Sequence, residues 1–339
     1  MTTTKDINFY KPIDGTQCPK FAGVATFMKL PYVLAHEASD VDVGIIGVPW
    51  DGGTTYKPGA RHAPRQVREY STFMRNVHPT LGIQPYNICK CADLGDANIN
   101  AVNLMESLRW VEEFYQSIMT QGIIPLSVGG DHLVSLPILR AVAANGPIAM
   151  VHIDAHTDMY EGFSGDSSFS HGTPFYHAIN EGLLDPKKII QIGIRGCMYT
   201  KNDRQWGLDQ GVRVIDIEEF NEIGITAVIE EVHRVIGDTP CYLSFDIDSI
   251  DPAFAPGTGT PEIGGFTSFE AQALVRGLHG LDLIGADLVE ISPPSDPTGN
   301  TALIGATLLF EMLCLLADNH YKKRQHQGKQ HEKVLAESQ

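Results

Sequence analysis

The stretch IAMVHIDAHTD, residues 148–158, reads as a buried strand that runs straight into a cluster of charge. Its first half is almost continuously apolar, the pattern of a strand covered by helices on both faces rather than wet on one. Its second half carries Asp154, His156 and Asp158 at alternate positions. In extended backbone such residues point to one side, so the three can converge on a single point. Similar apolar runs recur along the chain: VDVGIIGV at the start of the body, then IIPLSVG (123–129), IIQIGI (189–194), VRVID (212–216), CYLSFDID (241–248) and LIGADLVEIS (283–292). Amphipathic stretches near 63–76, 102–121, 134–143, 172–183, 224–236, 267–278 and 301–317 separate them. This alternation predicts an α/β fold with a mostly parallel central sheet between helical layers.

No linker or shift of composition divides residues 42–318, which read as one catalytic domain. Residues 1–41, punctuated by Pro12, Pro19 and Pro31, read as an N-terminal arm, and the Gln- and Lys-rich residues 319–339 as a frayed polar tail. The first residues are polar with no apolar h-region, and no uninterrupted apolar run approaches the roughly 18 residues of a membrane span. Six scattered cysteines (Cys18, Cys89, Cys91, Cys197, Cys241 and Cys314) suit reduced thiols, so a cytoplasmic location is expected. A formal net charge of −16 argues against nucleic acid or an anionic membrane as partner and suits metal ions or cationic ligands.

Ligands of open α/β sheets sit at the carboxyl ends of the strands. There the sequence places Gly129-Gly130-Asp131-His132, then Asp154-Ala155-His156-Thr157-Asp158, then Asp246-Ile247-Asp248. One such motif alone reads as a helix cap or a loop hydrogen-bonder. Three at three strand ends do not. Four carboxylates (Asp154, Asp158, Asp246, Asp248) with two imidazoles (His132, His156) would repel one another by several pKa units. Two divalent ions sharing bridging carboxylates balance the charge. His152 reads as a core histidine on the other side of its strand, with no role.

At these residues the chain resembles the ureohydrolase family of arginases, agmatinases and guanidino-acid hydrolases. The resemblance rests on SVGGDH (127–132), VHIDAHTD (151–158), SHGTPF (170–175), SFDIDSIDPAFAPGTGTPEIGG (244–265) and DLVEISPP (287–294). PKFAGVATFMKLP (19–31) and GVPWDGGTTYKPGARHAPRQVR (47–68) extend it over nearly the whole chain. It implies a three-layer arginase-like fold and a reaction that cleaves a guanidino C–N bond to give urea and an amine. It also implies one metal on His132, Asp154, Asp158 and Asp246, and a second on His156, Asp154, Asp246 and Asp248. The ions would be Mn2+, with Ni2+ able to compete by affinity order. His171 would shuttle a proton, Asp248 would help orient the attacking water, and Glu290 would pair with the substrate guanidinium. Family members commonly form trimers or hexamers, which an arm at 1–41 would suit.

The resemblance is strongest to guanidinopropionase- and guanidinobutyrase-like members, whose substrates carry a carboxylate. Arg61, Arg65, Arg68 and Arg75 are candidate anchors for it. The loop 159–169 points elsewhere: it holds Tyr160, Glu161, Phe163, Asp166 and Phe169 but no Lys or Arg. With Trp50 and Tyr56 it would suit a cationic or alkylated tail, so an alkylated guanidine or a biguanide such as metformin stands as the alternative substrate. A further alternative is an accessory subunit paired with an active paralogue. Deacetylase-type metal hydrolases fit less well, because the paired metal motifs match the ureohydrolases.

Overall fold

The structure, a computed structural model, describes residues 5–162 and 167–337, with side chains described as far as residue 328. Among these residues eight strands form one sheet: β1 (Val43–Gly47), β2 (Cys91–Asp96), β3 (Ile124–Val128), β4 (Ile148–Ile153), β5 (Leu184–Ile194), β6 (Arg213–Asp216), β7 (Cys241–Asp246) and β8 (Leu283–Val289). Their order is β2-β1-β3-β8-β7-β4-β5-β6 and every pairing is parallel. The expected α/β architecture is therefore present, and its sheet is wholly parallel.

Burial follows the two-residue period of a strand. In β4, Ala149, Val151 and Ile153 enter one hydrophobic cluster, while Ile148 and Met150 enter another. On one side of the sheet α3 (Leu104–Met119) packs on α4 (Ser135–Val142). On the other side α1 (Ala63–Ser71), α2 (Pro85–Ile88) and α8 (Ser268–Gly277) pack on α9 (Asn300–Glu337). The remaining helices are α5 (Pro174–Asn180), α6 (Gln205–Gln210) and α7 (Ile217–Ile236), the last broken at Gly224, where φ is 79°. The amphipathic stretch predicted over 224–236 is the half of α7 beyond this break.

The short helices α2 and α6 are not among the predicted stretches, and strand β2 and the end of the chain differ from the sequence-based expectation. Strand β2 lacks a continuous apolar run because Asp93, Gly95 and Asp96 interrupt it. It forms nonetheless, since Asp93 is buried and satisfied by Phe27 N–H, Gly95 N–H and Arg68. The chain beyond residue 319 continues as helix to Glu337 rather than fraying, in keeping with its Lys, Gln, Glu and Ala content. By length and composition Asn300–Gly328 could cross a bilayer, but 78% of its most apolar window is buried inside the protein.

The arm closes an edge of the sheet. Val33 N–H donates to Asp93 O at 2.9 Å and Asp93 N–H to Pro31 O at 3.0 Å, while Tyr10, Phe27, Leu30 and Val33 are buried. An open β2 edge would otherwise offer unpaired backbone to other chains.

The order of strands sets up the site. β3, β8, β7 and β4 are adjacent, so the motifs that follow them meet, although His132 and Glu290 are 158 residues apart. Between them the backbone is tight: a Cβ added at Gly130 would stand 1.7 Å from the Trp50 carbonyl oxygen. Gly130→Ala should therefore destabilise the fold by about 3 kcal/mol, lowering the thermal unfolding midpoint by ~5 °C or more when followed by circular dichroism.

Candidate metal centre

Each of the three motifs turns by the same local device. One carboxylate oxygen of Asp131 accepts from Leu133 N–H at 3.1 Å, one of Asp154 from His156 N–H at 2.6 Å, and one of Asp246 from Asp248 N–H at 2.8 Å. These are Asx-type turns, in which the side chain replaces a backbone acceptor. The ligand motifs are thus not extended, as their alternation suggested. Asp154–Asp158 form a turn beyond β4, and Asp248 lies in a short helical turn at Ile247–Ser249. The side chains converge all the same.

His132 Nδ1 lies 3.1 Å from Asp154 Oδ2, 2.9 Å from Asp158 Oδ2 and 3.1 Å from Asp246 Oδ2. It is buried, yet aligned for a hydrogen bond with none of them. Its other nitrogen, Nε2, meets Ser244 Oγ at 2.8 Å, and Ser244 donates its only proton to Asp287 at 2.7 Å. The hydroxyl must therefore accept from Nε2–H, which leaves the Nδ1 lone pair facing three carboxylate oxygens. A cation between them resolves that arrangement, and a nitrogen fixed by a partner on its far side is the usual form of a metal-binding histidine.

The second half is more open. His156 Nδ1 stands 3.0 Å from Asp248 Oδ2 and 3.5 Å from Asp154 Oδ1, with its side chain 29% exposed. Burial, then the charges of Asp248 and Asp154, push the Asp246 carboxyl well above the usual carboxylate range. The donor set fits two divalent ions: hard oxygen ligands, one imidazole for each ion, and an excess of negative charge.

Beside the cluster stands Glu290, just past β8. Its Oε1 accepts from His132 N–H and meets His171 Nδ1, both at 2.9 Å, and its buried Oε2 has no partner among the described residues. Glu290 and Asp158 both adopt left-handed backbone, with φ of 64° and 49°. For non-glycine residues this costs about 1–3 kcal/mol each and is concentrated at functional sites. Burial disfavours a charged His171, but the bond to Glu290 and the charges of Glu290, Asp158 and Asp131 outweigh it and raise its pKa to about 9. His171 Nε2 meets Thr55 Oγ1 at 2.7 Å.

The remaining expected residues scatter. Tyr160 is half-buried, and its ring lies where a Cβ on Gly172, next to His171, would touch it at 3.4 Å. Glu161 is exposed, whereas Trp50 is 5% exposed and packs in the core beneath the loop. Phe163 and Asp166 lie outside the described residues. Arg61 is paired with Asp51 and Arg68 with Asp93 and Asp96; Arg75 lies over the Phe73 ring, and Arg65 is exposed on α1.

His152 does not stand on the far side of its strand. It shares the parity of Asp154 and contacts Asp154 Oδ2 at 2.7 Å, with Gln191 Nε2 at 2.9 Å from its other nitrogen. Sequence reasoning also passed over Asp131, which accepts from Gly53 N–H at 2.6 Å and so ties the 50–62 loop to the cluster. Its place directly before His132 was the available signal.

The arginase family model matches residues 41–314. The chain belongs to the arginase family. It is an amidinohydrolase of the group that acts on linear amidines, and enzymes of this family use a binuclear metal centre. Over 309 residues it is 55% identical to guanidinopropionase of Pseudomonas aeruginosa, covering 91% of this chain and 96% of the relative. It is 47% identical to guanidinobutyrase of the same organism, covering 92% and 98%. Among solved structures, the proclavaminate amidino hydrolase of Streptomyces clavuligerus superimposes with a TM-score of 0.85 at 38% identity, covering 89% of this chain and all of that one.

The outer bonds of His132 can be tested on their own. Ser244→Ala should weaken Mn2+ affinity by about 10- to 100-fold, as loss of such a partner does at other metal sites. Metal titration followed by calorimetry measures it, and an unchanged affinity would remove Ser244 from the argument.

Proposed function

We propose that the chain hydrolyses a small guanidino compound to urea and an amine, with guanidino acids as the leading substrate class. The observation that carries this reading is the unpartnered, buried Oε2 of Glu290 beside the two-imidazole, four-carboxylate cluster. A planar guanidinium presents N–H groups in the geometry that suits such a carboxylate. The names of the relatives supply the substrate class.

In this reading His132, Asp154, Asp158 and Asp246 hold one ion, and His156, Asp154, Asp246 and Asp248 hold the other. Bound there, two divalent ions supply an activated water at neutral pH and offset the carboxylate charge. Glu290 orients the guanidinium over the cluster. His171 Nδ1–H, held against Glu290, lies on the substrate side and protonates the departing amine as the C–N bond breaks. Because its pKa is raised to about 9, this acid is charged at neutral pH and is lost as pH rises through about 9. Turnover should fall over that alkaline range.

A second reading has an observation of its own. Glu262 Oε1 stands 4.0 Å from His156 Nε2, Glu161 is exposed nearby in sequence to Tyr160, and Arg61 and Arg68 are committed to carboxylates. That rim favours an uncharged or cationic tail, as in an alkylated guanidine or a biguanide. Urea release by the purified chain, loaded with Mn2+ or Ni2+, across guanidinopropionate, guanidinobutyrate, agmatine, guanidine and metformin separates the two. Preference for a guanidino acid supports the first, and preference for metformin the second. Two bound metals without turnover of any of them would overturn both and favour an accessory subunit.

His171→Ala should lower kcat by about 10²- to 10⁴-fold while metal content stays at two ions per chain. Asp246→Ala, which removes a carboxylate that would serve both ions in this reading, should empty the cluster in elemental analysis.

A further inference from the structure

The opposite end of the sheet gathers a second set of metal-type side chains from three distant parts of the chain. Asp42 stands directly before β1, Cys89 two residues before β2, and His320 on α9. The parallel pairing aligns Val43 with Cys91, and Lys90 N–H donates to Asp42 Oδ2 at 2.8 Å, so Asp42 and Cys89 are neighbours by construction. α9 packs on α2 and β1 and lays His320 beside them. One ligand atom from each of the three lies within 4.8 Å of the other two. All of this sits at the amino ends of β1 and β2, whereas the cluster described above lies beyond the carboxyl ends of its strands.

Ordinary hydrogen bonding does not account for the group. Cys89 Sγ–H reaches Ala317 O at 3.3 Å, and Arg324 Nη1 lies 3.3 Å from Asp42 Oδ1. His320 Nε2 lies 3.3 Å from the same oxygen. Although this nitrogen is buried, it is aligned for a hydrogen bond with nothing among the described residues. A protonated His320 paired with Asp42 is the plain alternative, and it would direct Nε2–H along the line to Oδ1. We propose that Asp42, Cys89 and His320 form a site for one Zn2+-class ion, separate from the hydrolytic cluster. The proposal does not depend on the hydrolytic reading.

The donor set decides the class of ion. One imidazole nitrogen, one thiolate sulfur and one carboxylate oxygen suit Zn2+, which takes such ligands tetrahedrally and leaves a fourth position for water. The cluster at the other end offers four carboxylates and two imidazoles but no sulfur, and suits harder ions. The two sites therefore select differently. Burial pushes the Cys89 thiol above its usual range, so it keeps its proton until a metal displaces it. On binding, the S–H bond breaks, the proton passes to solvent, and the metal–sulfur bond forms. The thiolate and the Asp42 carboxylate then balance the two positive charges of the ion. Asp42 and His320 are partly exposed, which gives the ion a way in, and Arg324 is exposed and free to move off Oδ1. An ion held there ties α9 to the starts of β1 and β2.

Co2+ stands in for Zn2+ and reports a thiolate ligand by a charge-transfer band in the near ultraviolet. The hydrolytic cluster contains no cysteine and cannot give this band. Titration of the purified chain with Co2+ should raise the band to saturation at one thiolate-bound ion per chain, and added Zn2+ should abolish it. Cys89→Ser should lose the band. His320→Ala should weaken Co2+ binding at this site by about 100-fold or more, since loss even of an outer partner costs about 10- to 100-fold. Asp246→Ala, Cys18→Ser and Cys197→Ser should all keep the band. A wild-type chain without the band overturns the proposal, as does a band that survives Cys89→Ser. Loss of the band in Cys18→Ser or Cys197→Ser would place the ion on another thiol and overturn it too. Should Cys89→Ser fail to fold by circular dichroism, His320→Ala decides alone: unchanged affinity overturns the site, and the expected loss supports it.

Discussion

The mutual repulsion of Asp154, Asp158, Asp246 and Asp248 is the constraint on which the rest of the site depends. Two unit charges about 4 Å apart repel by roughly 4 kcal/mol at an effective dielectric of about 20. Oxygens of Asp154 and Asp248 lie within 4.8 Å of one another, and Asp154, Asp158 and Asp246 all meet at His132 Nδ1. A few such pairs rival the whole stability of a folded domain, about 5–15 kcal/mol. The cluster therefore has to be held from outside and balanced by cations. The Asx-type turns hold it: one oxygen of Asp154 and of Asp246 shapes the backbone while the other faces inward. The parallel sheet beneath supplies adjacent, fully buried strands that fix where those turns begin.

Placement of positive charge tells the same story by exclusion. Arg68 is spent on Asp93 and Asp96, and Arg61 on Asp51, both in the framework around the 50–62 loop. Arg195 reaches the backbone of the cluster itself, and it is buried, donating to the carbonyls of Gly193, Asp248, Ser249, Glu262 and Ile263. It ties the turn that carries Asp248 to the segment that carries Glu262, and its donors are used up in doing so. None of these three guanidinium groups pairs with Glu290, whose buried Oε2 has no partner among the described residues. Under the proposed reading, keeping these arginines on backbone carbonyls and other carboxylates leaves Glu290 free of internal competition for a guanidinium.

Much of this was legible in the sequence because the informative residues are short-range. Near-continuous apolar runs revealed seven of the eight strands, and the residues just after them include the carboxylates and imidazoles that the structure brings together. What was hidden depended on contacts between distant segments. β2 was missed because the partners that satisfy Asp93, namely Phe27 N–H and Arg68, lie 66 and 25 residues away. His152 was assigned to the wrong side, although its spacing from Asp154 already placed the two on one face; here the period was misapplied. The extended geometry expected for DAHTD gave way to a turn because Asp154 supplies its own acceptor. Thr55 carried no local signal at all, since its neighbour His171 is 116 residues away.

The same division bears on substrate choice. Relatives that align over more than nine-tenths of this chain are named for different guanidino acids. Under the proposed reading the sheet edge addresses only the guanidinium that such compounds share, and so does not by itself discriminate among them. On that reading, discrimination falls to the surroundings of the cluster: the 50–62 loop, the described residues of the 159–169 loop and the segment around Glu262. Their described residues range from buried (Asp51, Gly53, Met159) to exposed (Tyr56, Glu161); Asp131 and Asp51 hold the 50–62 loop, and Arg195 holds the segment of Glu262. Rigid chemistry on the strands with variable recognition on the loops follows directly from that separation. It also explains why Trp50, packed in the core under its loop, belongs with the framework rather than with the recognition surface.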